Sequence, residues 1–228
     1  MRLGLISDVH ADASALERAL NVLERRGADR VVCMGDIVEK GDDGDRVVAM
    51  IQWHAIAAVR GNHDENAARA CRDEGARELA ESTVAWLEAL PARREYRWEG
   101  VRVMLAHGAP HRVDEYVFPE HIPKRFKRAA RELEVDLLLL GHTHRPMELH
   151  LGALQVVNPG SVAGTRTRDS HTCALIDLPS RAVGFYDLAD GSERPVESVF
   201  LGHDPASSPP TNPVARERGS VGHSRSTE

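Results

Sequence analysis

Residues 2–10 read RLGLISDVH, a short apolar run that ends in an aspartate and a histidine. The same arrangement recurs in residues 30–36, RVVCMGD, and in residues 55–63, AIAAVRGNH. Residues 101–107, VRVMLAH, and residues 136–144, DLLLLGHTH, repeat it later in the chain. Each run has the length of a buried strand, so five strands are expected to carry an Asp, Asn or His just past their carboxyl ends.

The segments between the first runs have helical character. Leu16, Leu20 and Leu23 recur at helical spacing, and residues 45–53 predict a second helix. This alternation predicts parallel strands with crossover helices. Ligands of such a sheet bind at the carboxyl edge of its strands, so we expect the polar side chains to share one pocket. The seven side chains are those of Asp8, His10, Asp36, Asn62, His107, His142 and His144.

The remaining patterns extend the fold. Ser14 and Glu17 resemble a capping box, and the Ala- and Glu-rich residues 66–90 predict helix with a break near Gly75. Residues 96–98 and 101–106 predict a hairpin, residues 124–133 a helix, and the short strands beyond His144 an antiparallel sheet. Those strands are expected at residues 147–151, 154–157, 172–177 and 182–188.

Composition limits the domain organisation and the possible partners. The chain has 228 residues and a formal net charge of −6, which is unfavourable for a protein that coats nucleic acid. We expect one domain over residues 1–200 and a disordered tail over residues 201–228, where apolar residues are scarce. Oligomeric state is left open by the sequence.

Cysteine usage and hydropathy indicate a compartment. Cys33, Cys71 and Cys173 are odd in number and form no CxxC pair, which favours a reducing compartment. The first apolar run is too short for a signal peptide, and no apolar stretch approaches the length of a membrane span. A cytoplasmic protein without membrane contact is therefore expected.

The ligand types indicate which metals the pocket would hold. Carboxylate, imidazole and amide oxygen without thiolate suit Mn²⁺, Fe²⁺, Zn²⁺ or Ni²⁺, and Mg²⁺ is also compatible. Seven ligands are too many for one tetrahedral ion but suit two ions that share a carboxylate. Two divalent ions, with Mn²⁺ favoured, would also offset the repulsion between an acidic protein and a phosphate ester.

Taken together, these motifs resemble those of the calcineurin-like metallophosphoesterases, and most closely their small bacterial and archaeal phosphodiesterase branch. The resemblance covers roughly residues 1–187 and includes an Asn-Pro-Gly-Ser turn at Asn158–Ser161. It implies a four-layer αββα sandwich, in which two mixed β-sheets are flanked by helices. The matching motifs are Asp8-Val-His10, Gly35-Asp36, Gly61-Asn62-His63-Asp64, His107-Gly108 and Gly141-His142-Thr143-His144.

The resemblance also implies roles for the matched residues. One metal would be held by Asp8, His10, Asp36 and His144, and the other by Asp36, Asn62, His107 and His142, so that Asp36 bridges. A metal-bridging hydroxide would attack phosphorus. His63 would protonate the leaving oxygen, and Asp64 would orient and charge that imidazole.

Several residues allow a plainer interpretation. Asp64 could instead cap the helix expected to begin near Glu65, and Asn158–Ser161 could be only a tight turn. The basic residues around Lys124 are best interpreted as a solvated helix face, and Arg166 and Arg168 as candidates for contact with phosphate. The family often has Gly-Asn and Gly-Pro at the positions of Ala11-Asp12 and Gly41-Asp42, which leaves the substrate preference open.

The sequence thus predicts a metal-dependent enzyme that hydrolyses phosphodiester or phosphomonoester bonds of a small, nucleotide-like substrate. The alternatives are a serine/threonine-type protein phosphatase, a nuclease, and a scaffold that keeps the fold without catalysis. A nuclease would need a basic groove that the charge pattern does not offer. A scaffold would be expected to have lost ligands or His63, and this chain retains them.

Overall fold

The computed structural model describes residues 1–73, 79–164 and 169–201. Gly75, Arg166, Arg168 and the tail from residue 202 lie outside the described residues, so the predictions made for them stay predictions. The helices are α1 (Ala13–Arg25), α2 (Gly44–Trp53), α3 (Asn62–Asp73), α4 (Glu81–Ala89) and α5 (Lys124–Glu132). The strands are β1 (Arg2–Ile6), β2 (Arg30–Cys33), β3 (Ala57–Ala58), β4 (Arg93–Trp98), β5 (Val101–Ala106), β6 (Leu137–Leu139), β7 (Pro146–Leu151), β8 (Leu154–Pro159), β9 (Thr172–Asp177), β10 (Ala182–Asp187) and β11 (Ser198–Leu201).

The strands form two mixed sheets. A five-stranded sheet has the order β10-β9-β1-β2-β3, and a six-stranded sheet has the order β11-β7-β8-β6-β5-β4. In the first sheet β1, β2 and β3 are parallel, while β9 runs antiparallel to β1. In the second sheet β5, β6 and β8 are parallel. The expected two-sheet sandwich is confirmed.

Three apolar clusters separate four layers. The cluster between the sheets contains Leu5 and Val32 from one sheet and Leu105 from the other, all buried. Leu16 of α1 belongs to the cluster that packs α1 to α4 on the outer face of the first sheet. Phe126 of α5 belongs to the cluster on the outer face of the second sheet. Each fully buried aliphatic side chain contributes roughly 1.5–3 kcal/mol, so aliphatic residues supply most of the core.

Some local expectations were wrong. Helix α1 is capped by Asp12, whose side chain accepts a hydrogen bond from the Ala15 N–H at 2.8 Å, rather than by a capping box at Ser14 and Glu17. Helix α3 begins at Asn62 instead of near Glu65. The pairs β7–β8 and β9–β10 are antiparallel as expected, but β8 pairs in parallel with β6, and β11 pairs in parallel with β7.

No helix among the described residues is both long enough and apolar enough to cross a bilayer.

Candidate metal centre

The strand ends of both sheets meet at one edge of the sandwich. Asp8 follows β1, Asp36 follows β2, and Asn62 opens α3 just after β3. His107 follows β5 directly, and the loop after β6 carries the last two histidines. The centre therefore lies where the carboxyl ends of neighbouring strands from the two sheets face each other.

Asp8, His10 and His144 form the first ligand cluster. Each offers one ligand atom, and these atoms all lie within 4.8 Å of one another. His144 Nε2 lies 3.1 Å from Asp8 Oδ1 and 3.1 Å from His10 Nε2. Two imidazole nitrogens that point at each other beside a carboxylate need a cation or a proton between them.

Asp36, His107 and His142 form the second cluster, again with ligand atoms within 4.8 Å of one another. His107 Nε2 lies 3.2 Å from Asp36 Oδ2, and the same oxygen lies 3.8 Å from His10 Nε2 of the first cluster. Asp36 thus stands between the two clusters, the position that a shared ligand requires.

Unpaired polar atoms test whether these residues fit metal ions. Among the described residues, Asn62 Oδ1 and His142 Nε2 are buried and have no hydrogen-bond partner. An unsatisfied buried polar group costs about 1–3 kcal/mol, so two in one place need a common ligand. The Asn62 oxygen and the nitrogen of a neutral His142 imidazole both carry lone pairs, and divalent cations would satisfy them together. The residues fit the predicted metals.

Hydrogen bonds to groups outside the two clusters orient the ligand histidines. His107 Nδ1 donates to the Met34 carbonyl at 2.6 Å, and His144 Nδ1 donates to Asp169 Oδ1 at 2.6 Å. In both imidazoles the Nε2 atom is therefore left facing the centre, an arrangement typical of metal-binding histidines.

The backbone of the centre is strained. Asp8, His10, Asp36, His142 and His144 all have positive φ, between 51° and 69°. Positive φ is uncommon outside glycine and typical of functional loops. The glycines beside these residues allow neighbouring loops to approach the ligand side chains closely. A Cβ on Gly61 would overlap the Asp36 side chain, and one on Gly141 would overlap Ser7 and approach Asp8 Oδ2 to 2.9 Å.

Burial and charge set the protonation of the histidines. Burial lowers the pKa of His10 to about 4, and burial together with the nearby His107 lowers the pKa of His142 to about 4. Both imidazoles are then neutral at pH 7, the form that binds metal. Burial disfavours the charged form of His107 as well, but the Asp36 carboxylate raises the pKa of His107 to about 9. Burial acts to raise the pKa of Asp36, and the His107 charge and hydrogen bond hold it well below its usual range.

His63 lies at the open side of the centre, with Nε2 4.0 Å from Asp36 Oδ2 and its side chain 23% exposed. Its partner is different from the predicted one. The Nδ1 atom contacts the carboxylate of Glu39. The carboxylate of Asp64 instead accepts backbone N–H groups from Ile37 at 2.8 Å, Val38 at 3.1 Å and Gly61 at 2.9 Å.

Asp64 therefore caps α3 and fixes the Asp36 loop, and the prediction that it contacts the His63 imidazole was wrong. Its bond to the Gly61 N–H is the return half of a capping box, because Asp64 is the third residue of α3. Burial and the neighbouring Asp36 raise the pKa of Asp64 to about 6 despite these three donors.

The Asn-Pro-Gly-Ser turn is more than a connection between strands. Asn158 Nδ2 donates to the Gly141 carbonyl at 2.6 Å and to Thr143 Oγ1 at 3.0 Å. These bonds hold the loop that carries His142 and His144. The basic cluster of α5 has no such role, since Lys124 is exposed and Arg125 pairs with Glu115 at 2.8 Å.

Three residues of the site were missed from the sequence. Glu39 contacts His63, Asp169 aims His144, and the exposed Lys40 places Nζ 3.5 Å from His10 Nε2. Glu39 and Lys40 stand three and four residues after Asp36, so proximity to a ligand was the available signal. No local sequence pattern marked Asp169 as a site residue, because its position depends on the pairing of β9 with β1.

The comparisons with known proteins agree with this geometry. The sequence model of the calcineurin-like phosphoesterase superfamily domain matches residues 1–181, and the chain belongs to that family. Phosphodiesterase YfcE of Escherichia coli K12 is 28% identical over 190 residues, covering 78% of this chain and 88% of YfcE. An uncharacterised protein of Methanocaldococcus jannaschii, MJ0912, is 28% identical over 193 residues, covering 72% of this chain and 77% of MJ0912. The crystal structure of a metallophosphoesterase from Sphaerobacter thermophilus superposes with a TM-score of 0.63 at 26% identity, covering 81% of this chain and 86% of that one.

Proposed function

We propose that this metallophosphoesterase uses two divalent ions to hydrolyse phosphodiester or phosphomonoester bonds of a small substrate. The observation that carries the proposal is the position of Asp36 Oδ2, 3.2 Å from His107 in one ligand cluster and 3.8 Å from His10 in the other. When bound, the ions supply Lewis-acid charge to the phosphate and activate water near neutral pH.

The protein's own residues position the phosphate and supply a proton. The two clusters lie on either side of Asp36, so a phosphate bound to ions in both clusters would be fixed for in-line displacement. His63 is the most exposed imidazole of the site, and Glu39 on Nδ1 leaves Nε2 free to face the phosphate. His63 Nε2–H is placed to donate to the phosphate and to protonate the leaving oxygen.

Oxygen and nitrogen donors support Mn²⁺ as the working metal, since no cysteine is among the ligands and Mn²⁺ suits such donors. The similarity to YfcE, whose name is phosphodiesterase, supports diesters as substrates. The same chemistry hydrolyses monoesters. The test therefore also includes a substrate for a phosphatase that acts on protein serine or threonine.

The test is turnover of bis-p-nitrophenyl phosphate, p-nitrophenyl phosphate and a phosphoserine peptide by purified protein with Mn²⁺, Zn²⁺, Ni²⁺ or Mg²⁺. We expect the diester to react fastest with Mn²⁺. Asp36→Asn should abolish turnover and weaken both metals by at least ~100-fold, since even outer partners of ligands contribute 10–100-fold. His63→Ala should keep both metals but lower kcat by about 100-fold or more.

His54→Ala is the matched control, because His54 is an exposed histidine just after α2. It should leave metal content and turnover unchanged. Absence of turnover with all metals and substrates, while two ions are bound, would contradict the enzyme and support a non-catalytic scaffold. Faster turnover of the phosphopeptide than of the diester would support a protein phosphatase instead.

A further inference from the structure

Lys40 reaches from solvent onto the first ligand cluster. It is an exposed residue, but its Nζ lies 3.5 Å from Nε2 of His10, which is only 4% exposed. That nitrogen is the predicted ligand atom of His10, and it also lies 3.1 Å from His144 Nε2. A positively charged side chain thus borders the atoms that are expected to hold the first ion.

His63 lies along the same border. The His63 ring lies 5.1 Å from the His10 ring, centroid to centroid, at an interplanar angle of 81°. His63 contacts Glu39, the residue before Lys40, so adjacent residues of one loop bring a carboxylate to His63 and an ammonium group to His10. Lys40 and His63 therefore share the side of the first cluster that is open to solvent.

The backbone fixes the start of the Lys40 side chain. Lys40 and the residue before it have φ values of 76° and 69°, and such values are uncommon outside glycine and concentrate at functional sites. The next residue, Gly41, lies so close to the His10 backbone that a Cβ would approach the His10 carbonyl oxygen to 2.7 Å. The Asp43 N–H also donates to the Ala11 carbonyl at 3.2 Å. The loop is therefore tied to the segment that carries His10.

The charges of the centre indicate what Lys40 binds. The seven predicted metal ligands contain two carboxylates, those of Asp8 and Asp36, whereas two divalent ions would bring four positive charges. These ligands therefore leave the loaded centre positive, and an ammonium group beside it adds to that charge. An anion at the open side compensates both. A phosphate oxygen is such an anion, and it accepts charge-assisted hydrogen bonds from an ammonium group, which carries three donors.

We propose that Lys40 binds a non-bridging phosphate oxygen of the substrate beside the first cluster and favours dianionic monoesters over monoanionic diesters. The proposal rests on the phosphoesterase function proposed above and specifies how the site selects its substrates by charge. A phosphomonoester carries close to two negative charges at pH 8, because its second pKa is about 6, whereas a diester carries one. Since the Coulomb energy is proportional to charge, Lys40 attracts the monoester more strongly. Lys40 thus raises the rate with monoesters relative to diesters, whichever class reacts faster overall.

Binding is tested by calorimetry on Mn²⁺-loaded protein at pH 8, with inorganic phosphate as the probe. Lys40→Met removes the charge but keeps most of the side-chain length, and it should weaken phosphate binding about tenfold, as expected for a hydrogen bond between charged groups. Lys40→Arg should keep most of the affinity. Lys127→Met, at an exposed lysine of α5, is the matched control and should not change it. Unchanged phosphate affinity in Lys40→Met would overturn the proposal.

A metal titration tests a competing role, in which Lys40 only replaces the charge of a cation beside His10. We expect Lys40→Met to bind two Mn²⁺ ions with the affinity of the unmodified protein, because the ammonium group acts on the substrate. An increase in Mn²⁺ affinity of about tenfold or more would show that Lys40 competes with the first ion. That result would also overturn the proposal.

Kinetics test the selection by charge. Lys40→Met should lower kcat/KM for p-nitrophenyl phosphate about tenfold and that for bis-p-nitrophenyl phosphate about threefold, because the diester has half the charge. Equal losses with the two esters would refute the selection. If neither ester is hydrolysed although phosphate affinity still depends on Lys40, the hydrolytic function fails and the phosphate contact stands.

Discussion

The orientation of His63 depends on Glu39, a residue outside the motifs that carry the family resemblance. Glu39 has a positive φ of 69° and extends from the Asp36 loop to Nδ1 of His63. A carboxylate in that position fixes the orientation and the tautomer of the imidazole ring, as in other histidine–carboxylate pairs. Glu39 is therefore a positioning residue that acts through His63.

Glu39→Gln should lower kcat about tenfold and leave both metals bound, because only the charge on the partner of His63 is lost. The loss should be larger with phenyl phosphate than with p-nitrophenyl phosphate, since phenolate is the poorer leaving group and depends more on a proton. Glu65→Gln, an exposed glutamate of α3, is the control. An equal loss on both substrates would contradict the role of Glu39 through His63.

The loops after the strands depend on glycine to bring their ligands together. Gly61 lies against the side chain and N–H of Asp36, so even one methyl group there displaces that carboxylate. The His63 N–H bond to Asp36 Oδ1, 2.9 Å long, would be lost with it. This close approach of two loops is what places the carboxylate between the clusters.

Gly61→Ala should lower the bound metal from two ions per chain to one or none and remove activity. Gly100→Ala controls for the overlap, because a Cβ added to Gly100, in an exposed hairpin turn, would meet no atom within 4 Å. Its φ of 81° makes alanine strained there, so this variant should lose some stability but no metal. Elemental analysis of folded protein measures the outcome. Two ions bound at wild-type affinity in Gly61→Ala would show that Asp36 tolerates displacement.

The edge of the second sheet carries a pH-sensitive contact remote from the metals. Burial acts to raise the pKa of Glu148 in β7, but hydrogen bonds from His150, Ser198 and Gln155 lower it below its ordinary value of 4.5. A depressed folded-state pKa stabilises the protein above pH 4.5, and the stabilisation is lost as the pH falls through the folded value.

Glu148→Gln should therefore lower the free energy of unfolding at pH 7, and the effect should be smaller at pH 3.5, which lies below the ordinary pKa of 4.5. Denaturant titrations at the two pH values measure the difference. Glu132→Gln, an exposed glutamate at the end of α5, should show little effect at either pH. An unchanged difference between pH 7 and pH 3.5 would contradict the hydrogen-bonded, ionised state of Glu148.

The sequence predicted strands well where an apolar run ends in a candidate ligand residue. Apolar runs that end in Asp or His located β1, β2, β5 and β6, because those strands are buried on both faces and end at the site. The pairing of β8 with β6 and the position of β11 could not be predicted, because β8 reaches β6 on the far side of the β7 hairpin and β11 joins a different sheet from β10, which local pattern does not determine. The two-sheet architecture followed from the resemblance, and the expectation that the ligand residues gather at one edge followed from the carboxyl-edge rule.

The supporting residues were harder to predict than the ligands. Asp64 was assigned to His63 from the resemblance, but a residue at the start of a helix points its carboxylate at free N–H groups. Glu39 and Asp169 come from two different loops, and their contacts with His63 and His144 depend on tertiary packing. Sequence periodicity contains no information about such contacts.

Metal binding and stability of the whole molecule are coupled through the buried ligands. Asp8 and His107 are 0% exposed, and Asp36 is 1% exposed, so their mutual charges depend on cations for full compensation. Ligands that bind only the folded state stabilise it by about 2.7 kcal/mol at a concentration of 100 Kd for each site.

Addition of Mn²⁺ to metal-free protein should therefore raise the Tm by roughly 5–10 °C for each site that it fills, using about 2–4 °C per kcal/mol for a domain of this size. EDTA should reverse the rise, and Asp36→Asn should remove most of it. Calorimetry or dye-based melting measures the shift, with His54→Ala as the control. An identical Tm with and without Mn²⁺ would show that the clusters do not bind it in the folded state.

The position of the metals themselves provides the most direct test. A crystal soaked in Mn²⁺ and measured for anomalous scattering should show two peaks, with Asp36 between them, one beside Asp8, His10 and His144 and the other beside Asn62, His107 and His142. A single peak, or peaks that do not contact Asp36, would contradict the two-metal centre.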